Sequence, residues 1–243
     1  MNKLNRSLVV ALSLTSAASF SAETTGNRYG YPVLYKSEIS AASAWLQASK
    51  KAKKQPVILD VRRIEEFVAG HPVNAYSIPF PHITGSPAKA NDTGGSYLGY
   101  DISGDPDVGF IAVDGKDGAI PIQEWVSYVE SVFPDKEQPI YLVCATGHRS
   151  VQAGNALAKY GKYVNVYNVW EGYNGQPKYA YTGDKPKQPL VALDLNNDGI
   201  VDAKDRDGWA FYQGLPIATK IIKKRIQTTY QDRYVSPVVP LVK

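Results

Sequence analysis

Two short runs, Val57-Ile58-Leu59-Asp60-Val61 and Ile140-Tyr141-Leu142-Val143, are apolar at nearly every position. A strand with one wet face alternates polar and apolar residues, so a strand without alternation needs cover on both faces. The stretches around these runs carry a different period. Ser37 to Ser49 reads as a helix with Ile39, Ala42, Trp45 and Leu46 on one face and Ser37 as its cap. Glu65, Glu66 and Phe67 suit a helical turn ending at Gly70-His71, and Ala75 to Ile78 fits a short strand stopped by Pro79. Helical spacing returns over Ile120–Phe133, where Ile122, Trp125, Val126, Val129 and Phe133 align. It returns again over Ser150–Tyr160, with Val151, Gly154, Leu157 and Ala158 as the inner face. Gly154 there is expected to let the helix lie close on the sheet. Val164 to Val169 is the next strand. Alternating strands and helices of this kind predict an α/β domain whose parallel sheet is covered by helices on both faces.

The N-terminus has the layout of a secretory signal peptide. Lys3 and Arg6 precede a largely apolar run, Leu8 to Ala18, and small residues follow through Ser21 and Ala22. Residues 1–22 are read as this signal, with cleavage after either Ala18 or Ala22, and the protein is expected to be periplasmic or secreted. An uncleaved anchor is the alternative, although the run is short for a stable span. No later segment is apolar enough to cross a membrane. The chain carries 27 basic and 23 acidic residues, net +4. Without Lys3 and Arg6 the mature chain has 25 against 23, or +2. That balance is too mild to argue for nucleic acid. Lys50, Lys51, Lys53 and Lys54 read as the solvated end of a helix.

Exported proteins normally use cysteines in pairs. This chain has one, Cys144, so no intramolecular disulfide can form. It lies in Val143-Cys144-Ala145-Thr146-Gly147-His148-Arg149-Ser150, between a buried strand and a helix. Ligand crevices of parallel sheets lie at the carboxyl ends of strands, where this cysteine falls. A turn from strand into helix can point backbone N–H groups inward and adds the positive end of the helix dipole, both of which favour a thiolate. Gly147 lets the loop curl, and Arg149 can grip an oxyanion in a forked geometry.

The chain resembles the rhodanese family. Leu59-Asp60-Val61-Arg62 with Glu66-Phe67 and Gly70-His71 is similar to the family's opening signature, and Ala75 to Pro79 to the strand that follows it. Trp209 with Gly214-Leu215-Pro216 is similar to its closing motif. The resemblance implies a sulfurtransferase that carries sulfur as a persulfide on Cys144. The loop amides of Ala145, Thr146, Gly147, His148 and Arg149 would cradle that sulfur. A donor such as thiosulfate and a thiol or cyanide acceptor are the implied partners, together with a periplasmic redox or sulfur-relay protein. Asp60 and Arg62 are expected to brace the loop rather than touch substrate. His71 is read as a structural hydrogen-bonding residue and His148 as facing solvent. A sulfur carrier or redox-partner module without efficient turnover is the alternative. A third reading is a phosphatase or arsenate reductase on the same fold, which the resemblance implies would have a loop one residue longer than the six from Cys144 to Arg149.

An insertion separates Glu171-Gly172-Tyr173-Asn174-Gly175 from Trp209. Inside it, Asp194, Asn196, Asp198, Asp202 and Asp205 stand at positions 1, 3, 5, 9 and 12 of a calcium-loop spacing, with Gly199 at position 6 and the Ile200 carbonyl at position 7. Asp in place of Glu at position 12 resembles EF-hand-like loops of dockerins. Calcium is therefore the expected cofactor, with a solvated acidic turn as the alternative. The domain is drawn over residues 30–216, including this loop. A basic tail over 217–243 carries Ile221, Ile222 and Ile226 at near-helical spacing and is expected to pack on the domain, with a membrane-surface or partner helix as the alternative.

Overall fold

The computed structural model describes residues 27–83, 100–101, 108, 111–112, 120–181 and 190–235. Residues 1–22, read from the sequence as a signal, and most of the 80–119 loop lie outside these residues. In chain order the elements are β1 (Ser37–Ile39), α1 (Ala41–Ser49), β2 (Val57–Asp60), α2 (Ile64–Ala69), β3 (His71–Pro72) and β4 (Tyr76–Ser77). Then follow β5 (Tyr100–Asp101), β6 (Ile111–Ala112), α3 (Ile122–Val132), β7 (Ile140–Val143), α4 (His148–Lys159) and β8 (Val166–Val169). The last are β9 (Tyr179–Tyr181), β10 (Leu190–Ala192) and β11 (Ile217–Ala218). No helix among the described residues is long and apolar enough to cross a membrane.

Five strands form one parallel sheet in the order β1-β8-β7-β2-β4. From β1 through β2 to β4 the chain moves one way along the sheet, and from β4 through β7 to β8 it moves back. Right-handed crossovers then put α1 and α2 on one face and α3 and α4 on the other, and α3 does pack on α4. The central strand β7 therefore has cover on both sides, and all four of its residues are buried. That is why its sequence shows no alternation. Trp125 fixes α3 from below, donating its indole N–H to the Ile78 carbonyl at 3.1 Å.

The direction of travel reverses beside β2 and β7. The helices that follow these two neighbours leave on opposite faces, so a crevice opens beyond their carboxyl ends. The loops that start at Arg62 and at Cys144 form its walls.

Several sequence expectations are corrected here. Ser37 does not cap a helix: Ser37–Ile39 is the edge strand β1, and Ser40 caps α1 by accepting from the Ser43 N–H. The α4 helix begins at His148, inside the motif. Gly154 does not face the sheet. A Cβ there would stand 2.8 Å from Tyr35 Cδ1, so the missing side chain makes room for the Tyr35 ring. The segment before β1 lies along α4, where Asn155 receives the Leu34 N–H and donates to the Pro32 carbonyl, each at 2.8 Å. This outer layer explains why every residue from Ser150 to Leu157 is buried. The described part of the tail, through Val235, packs on the domain without forming an α-helix. Ile217–Ala218 pairs antiparallel with His71–Pro72, and 3₁₀ turns then carry Ile226 and Tyr234 into the core beside Ser77.

Gly154→Val is expected to lower stability by about 1–3 kcal/mol through overpacking. Tyr35→Leu in the same chain should recover part of that loss, as read by denaturant unfolding.

Candidate active site

Cys144 follows directly on β7 and is 1% exposed. Its Sγ accepts the Gly147 N–H at 3.2 Å and the Ser150 hydroxyl at 3.3 Å. Gly147 has φ +92°, and a Cβ on it would stand 2.3 Å from the Trp170 carbonyl oxygen. The loop from Cys144 to Gly147 is thus pressed against the chain that leaves β8. There the Tyr173 N–H donates to the Cys144 carbonyl at 2.7 Å, and the Asn174 and Gly175 N–H groups donate to the Ala145 carbonyl at 2.8 and 3.0 Å. The Thr146 carbonyl accepts the Tyr29 hydroxyl. With these carbonyls bonded outward, the Gly147 amide is left to point at the sulfur.

Arg149 is engaged by Glu66. Its Nη1 and Nη2 donate to the two Glu66 oxygens at 2.8 and 2.9 Å, a fork on a carboxylate. Burial alone would push the Glu66 carboxyl up. The Arg149 charge and hydrogen bonds outweigh it, with help from Arg62 and the Arg63 amide, and hold the pKa at about 2. The grip foreseen for an oxyanion is therefore directed to a residue of α2, which ties α2 to the start of α4.

Asp60 and Arg62 are 0% and 2% exposed. Arg62 Nη2 donates to Asp60 at 2.7 Å and to the Gly70 carbonyl at 2.6 Å. The guanidinium also lies 3.7 Å from the centre of the Tyr173 ring. One side chain thus joins the loop after β2, the end of α2 and the loop after β8. His71 stacks on Phe67 at 3.8 Å, and its Nδ1 lies 2.9 Å from the Phe67 carbonyl.

His148 does not face solvent. It is half-buried between Tyr29 and Tyr31, with its Nε2 2.9 Å from the Tyr31 hydroxyl. Burial, then the neighbouring Arg149 charge, pulls its pKa down to about 4, so the ring is neutral near pH 7. The two tyrosines come from the segment before β1, more than a hundred residues away in sequence, and no local pattern points to them. Ser150 was readable only as a helix residue. Its one sequence signal is a hydroxyl in the first turn of a helix that starts within the cysteine loop.

The calcium-type loop forms a separate turn. Asp194 Oδ1 and Asn196 Oδ1 both accept the Asp198 N–H, at 3.2 and 3.0 Å, and Asp194 Oδ2 accepts the Gly199 N–H at 2.7 Å. Asp198 in turn accepts the Ile200 N–H at 2.9 Å. The Asp205 carboxylate is turned to the backbone, accepting from Leu195, Asn196 and Asp202 at 2.8, 3.3 and 2.7 Å. Two oxygen-bearing side chains, Asp194 and Asn196, thus converge on the Asp198 amide, while the twelfth-position carboxylate is occupied. No group of three or more His, Cys, Asp or Glu side chains among the described residues is arranged to hold a metal ion.

The model of the rhodanese-like domain family matches residues 42–176. The chain belongs to the rhodanese-like family. The match runs from the start of α1 through the cysteine loop to the point where the insertion leaves. Among solved structures, the chain is similar to the rhodanese-like domain of an Anabaena sp. protein determined by solution NMR. The two are 19% identical with a TM-score of 0.33, over 56% of this chain and 68% of that one. No curated protein matches. The family relation carries a sulfur-related function in the coarse sense, and the mostly parallel sheet flanked by helices is the fold it requires.

Because the Glu66 pKa is lowered from 4.5 to about 2 in the folded chain, its stabilising effect is complete above about pH 4.5 and is lost as pH falls toward 2. Thermal melts should therefore show wild type above Glu66→Gln at pH 6, with the gap closing between about pH 4.5 and 2.

Proposed function

We propose that this rhodanese-like protein is a sulfurtransferase in which Cys144 carries the transferred sulfur. The observation that supports it is the cysteine sulfur at the crevice between β2 and β7, addressed by the Gly147 amide and the Ser150 hydroxyl. A Cys144 thiolate attacks the outer sulfur of a donor such as thiosulfate. The donor S–S bond breaks, and sulfite leaves with the bonding pair. The new S–S bond leaves a persulfide whose terminal sulfur bears the negative charge. A thiol or cyanide acceptor then attacks that sulfur, the bond to Cys144 breaks, and the thiolate returns. The cycle splits one transfer into two displacements and calls for no second cysteine, which suits a chain with one. Gly147 and Ser150 stabilise negative sulfur as neutral dipoles, in a site whose nearby cations are already bonded to carboxylates. Asp60 and Arg62 act as positioning residues.

Intact-protein mass after incubation with thiosulfate should rise by one sulfur atom in wild type and stay unchanged in Cys144→Ser. Equal sulfur uptake by both would falsify the assignment. Ser150→Ala removes a hydrogen bond to a charged group, worth about 1.5–3 kcal/mol, so kcat/KM for thiosulfate and cyanide should fall about 10- to 100-fold. Persulfide formation without turnover would instead support the carrier-module reading. Robust aryl phosphate hydrolysis without sulfur transfer would favour the phosphatase reading.

We also propose that residues 194–205 take up one calcium ion. The support is the spacing of Asp194, Asn196, Asp198, Ile200, Asp202 and Asp205 and the convergence of Asp194 and Asn196 on the Asp198 amide. Calorimetry should show calcium binding to wild type and not to Asp194→Ala, with a rise in melting temperature only for wild type. If neither heat nor shift appears, the loop is a solvated turn.

A further inference from the structure

At the amino-terminal end of the sheet, away from Cys144, described residues enclose a cavity of about 550 Å³. That lies within the usual range for small-ligand sites, roughly 300–1,000 Å³. Its apolar wall is made by Trp45 of α1, Val57 at the start of β2 and Tyr76 of β4. Ser49 stands on the same lining, and Arg225 closes it from the tail.

Beside this cavity Lys54, next to the lining residue Gln55, is paired with Asp135 and Glu137 at 2.9 and 2.8 Å. No lining residue is Asp or Glu. Arg225 makes no ion pair among the described residues. Its Nη1 donates to Asn74 Oδ1 at 2.6 Å, and its buried Nε has no hydrogen-bond partner. Lys50, Lys51 and Lys53 lie between the lining residues Ser49 and Gln55, and Lys223 and Lys224 precede Arg225. All five are exposed, and none is ion-paired among the described residues. An apolar chamber with a guanidinium that has no carboxylate partner among the described residues, bonded to Asn74 and 5.6 Å from the centre of the Tyr76 ring, is complementary to an anion on a flat apolar body. The wall that supplies the guanidinium is the tail, beyond residue 176 where the family match ends.

We propose that this cavity binds a small aromatic carboxylate or sulfonate, with the anionic group on Arg225 and the ring between Trp45 and Tyr76. The site is independent of the sulfur chemistry at Cys144.

The test is isothermal calorimetry on the full chain with 2-naphthoate and its neutral counterpart 2-naphthamide. Wild type should bind one equivalent of naphthoate, and naphthamide should bind about tenfold more weakly or less. Arg225→Gln should lose a similar factor for naphthoate while leaving naphthamide unchanged. Ser49→Trp, which fills the exposed side of the lining and keeps Arg225, should abolish binding of both. Cys144→Ser should bind like wild type. Thermal melts report whether each variant is folded, and if Arg225→Gln is not, Ser49→Trp and the naphthoate-to-naphthamide ratio decide. The proposal is overturned if naphthoate shows no saturation at millimolar concentration, if the amide binds as well as the acid, or if folded Arg225→Gln or Ser49→Trp retains wild-type affinity.

Discussion

The close approach of two backbones beyond the carboxyl ends of β7 and β8 governs the rest of the site. A Cβ at Gly147 would lie 2.3 Å from the Trp170 oxygen, and one at Gly172 would lie 2.6 Å from Thr146 N. Both residues have positive φ, so glycine answers a conformational demand and a spatial one together. At this separation the amides of residues 173–175 bond the carbonyls of Cys144 and Ala145. Once those carbonyls point away from the sulfur, the loop can turn an amide toward it. The sulfur environment is therefore set by a neighbouring connection as much as by the cysteine loop itself.

Charge in the crevice is organised in the same indirect way. Arg62 and Arg149 are each bonded to a carboxylate, Asp60 and Glu66. The first pair is fully buried and the second partly so, and desolvation offsets part of the attraction in each. What they supply is position. Arg62 spans three loops, and Arg149 anchors the first turn of α4 to α2. The groups that touch the sulfur are an amide and a hydroxyl, whose dipoles need no counter-charge. In the proposed transfer the cysteine sulfur would alternate between thiolate and persulfide, and neutral donors can serve both without holding either too tightly.

Much of the fold was legible because buried parallel strands and amphipathic helices leave different periods in the sequence. The runs at β2 and β7 and the face of α3 are local signals of this kind. The edge strand β1 was not legible: Ser37-Glu38-Ile39 is short and half-buried, and only its pairing with β8 makes it a strand. The tail misled for a related reason. Ile221, Ile222 and Ile226 mimic a helical face, but pairing with β3 and packing beside Ser77 override that preference. At the site, Cys144 and its loop could be read directly. The partner of Arg149 is 83 residues away, and the aromatic bed of His148 is farther still. Contacts made by folding leave no spacing to read, so a free arginine and a solvent-facing histidine were the natural expectations.

The insertion after Gly175 shows how a family domain accepts extra chain without disturbing its chemistry. The segment returns to where it left: the Asp207 amide donates to the Gln176 carbonyl at 3.1 Å, and the Asp207 carboxylate accepts the Gln176 amide at 2.7 Å. Trp209 then resumes the core, fully buried, with its backbone amide on the Gly172 carbonyl at 3.0 Å. The two ends of the insertion are hydrogen-bonded to each other, so the chain leaves and rejoins the domain at one place. The tail follows the same logic at another edge. Its pairing with β3 and its bridge from Ile226 to Ser77 cover the open side of β4, where unpaired backbone would otherwise invite association. Added chain is thus confined to the periphery of the sheet, while the crevice is built from residues within the family match, Asp60, Arg62, Glu66, Cys144 and Ser150 among them. Evolution of new contacts at either periphery can proceed without moving the sulfur.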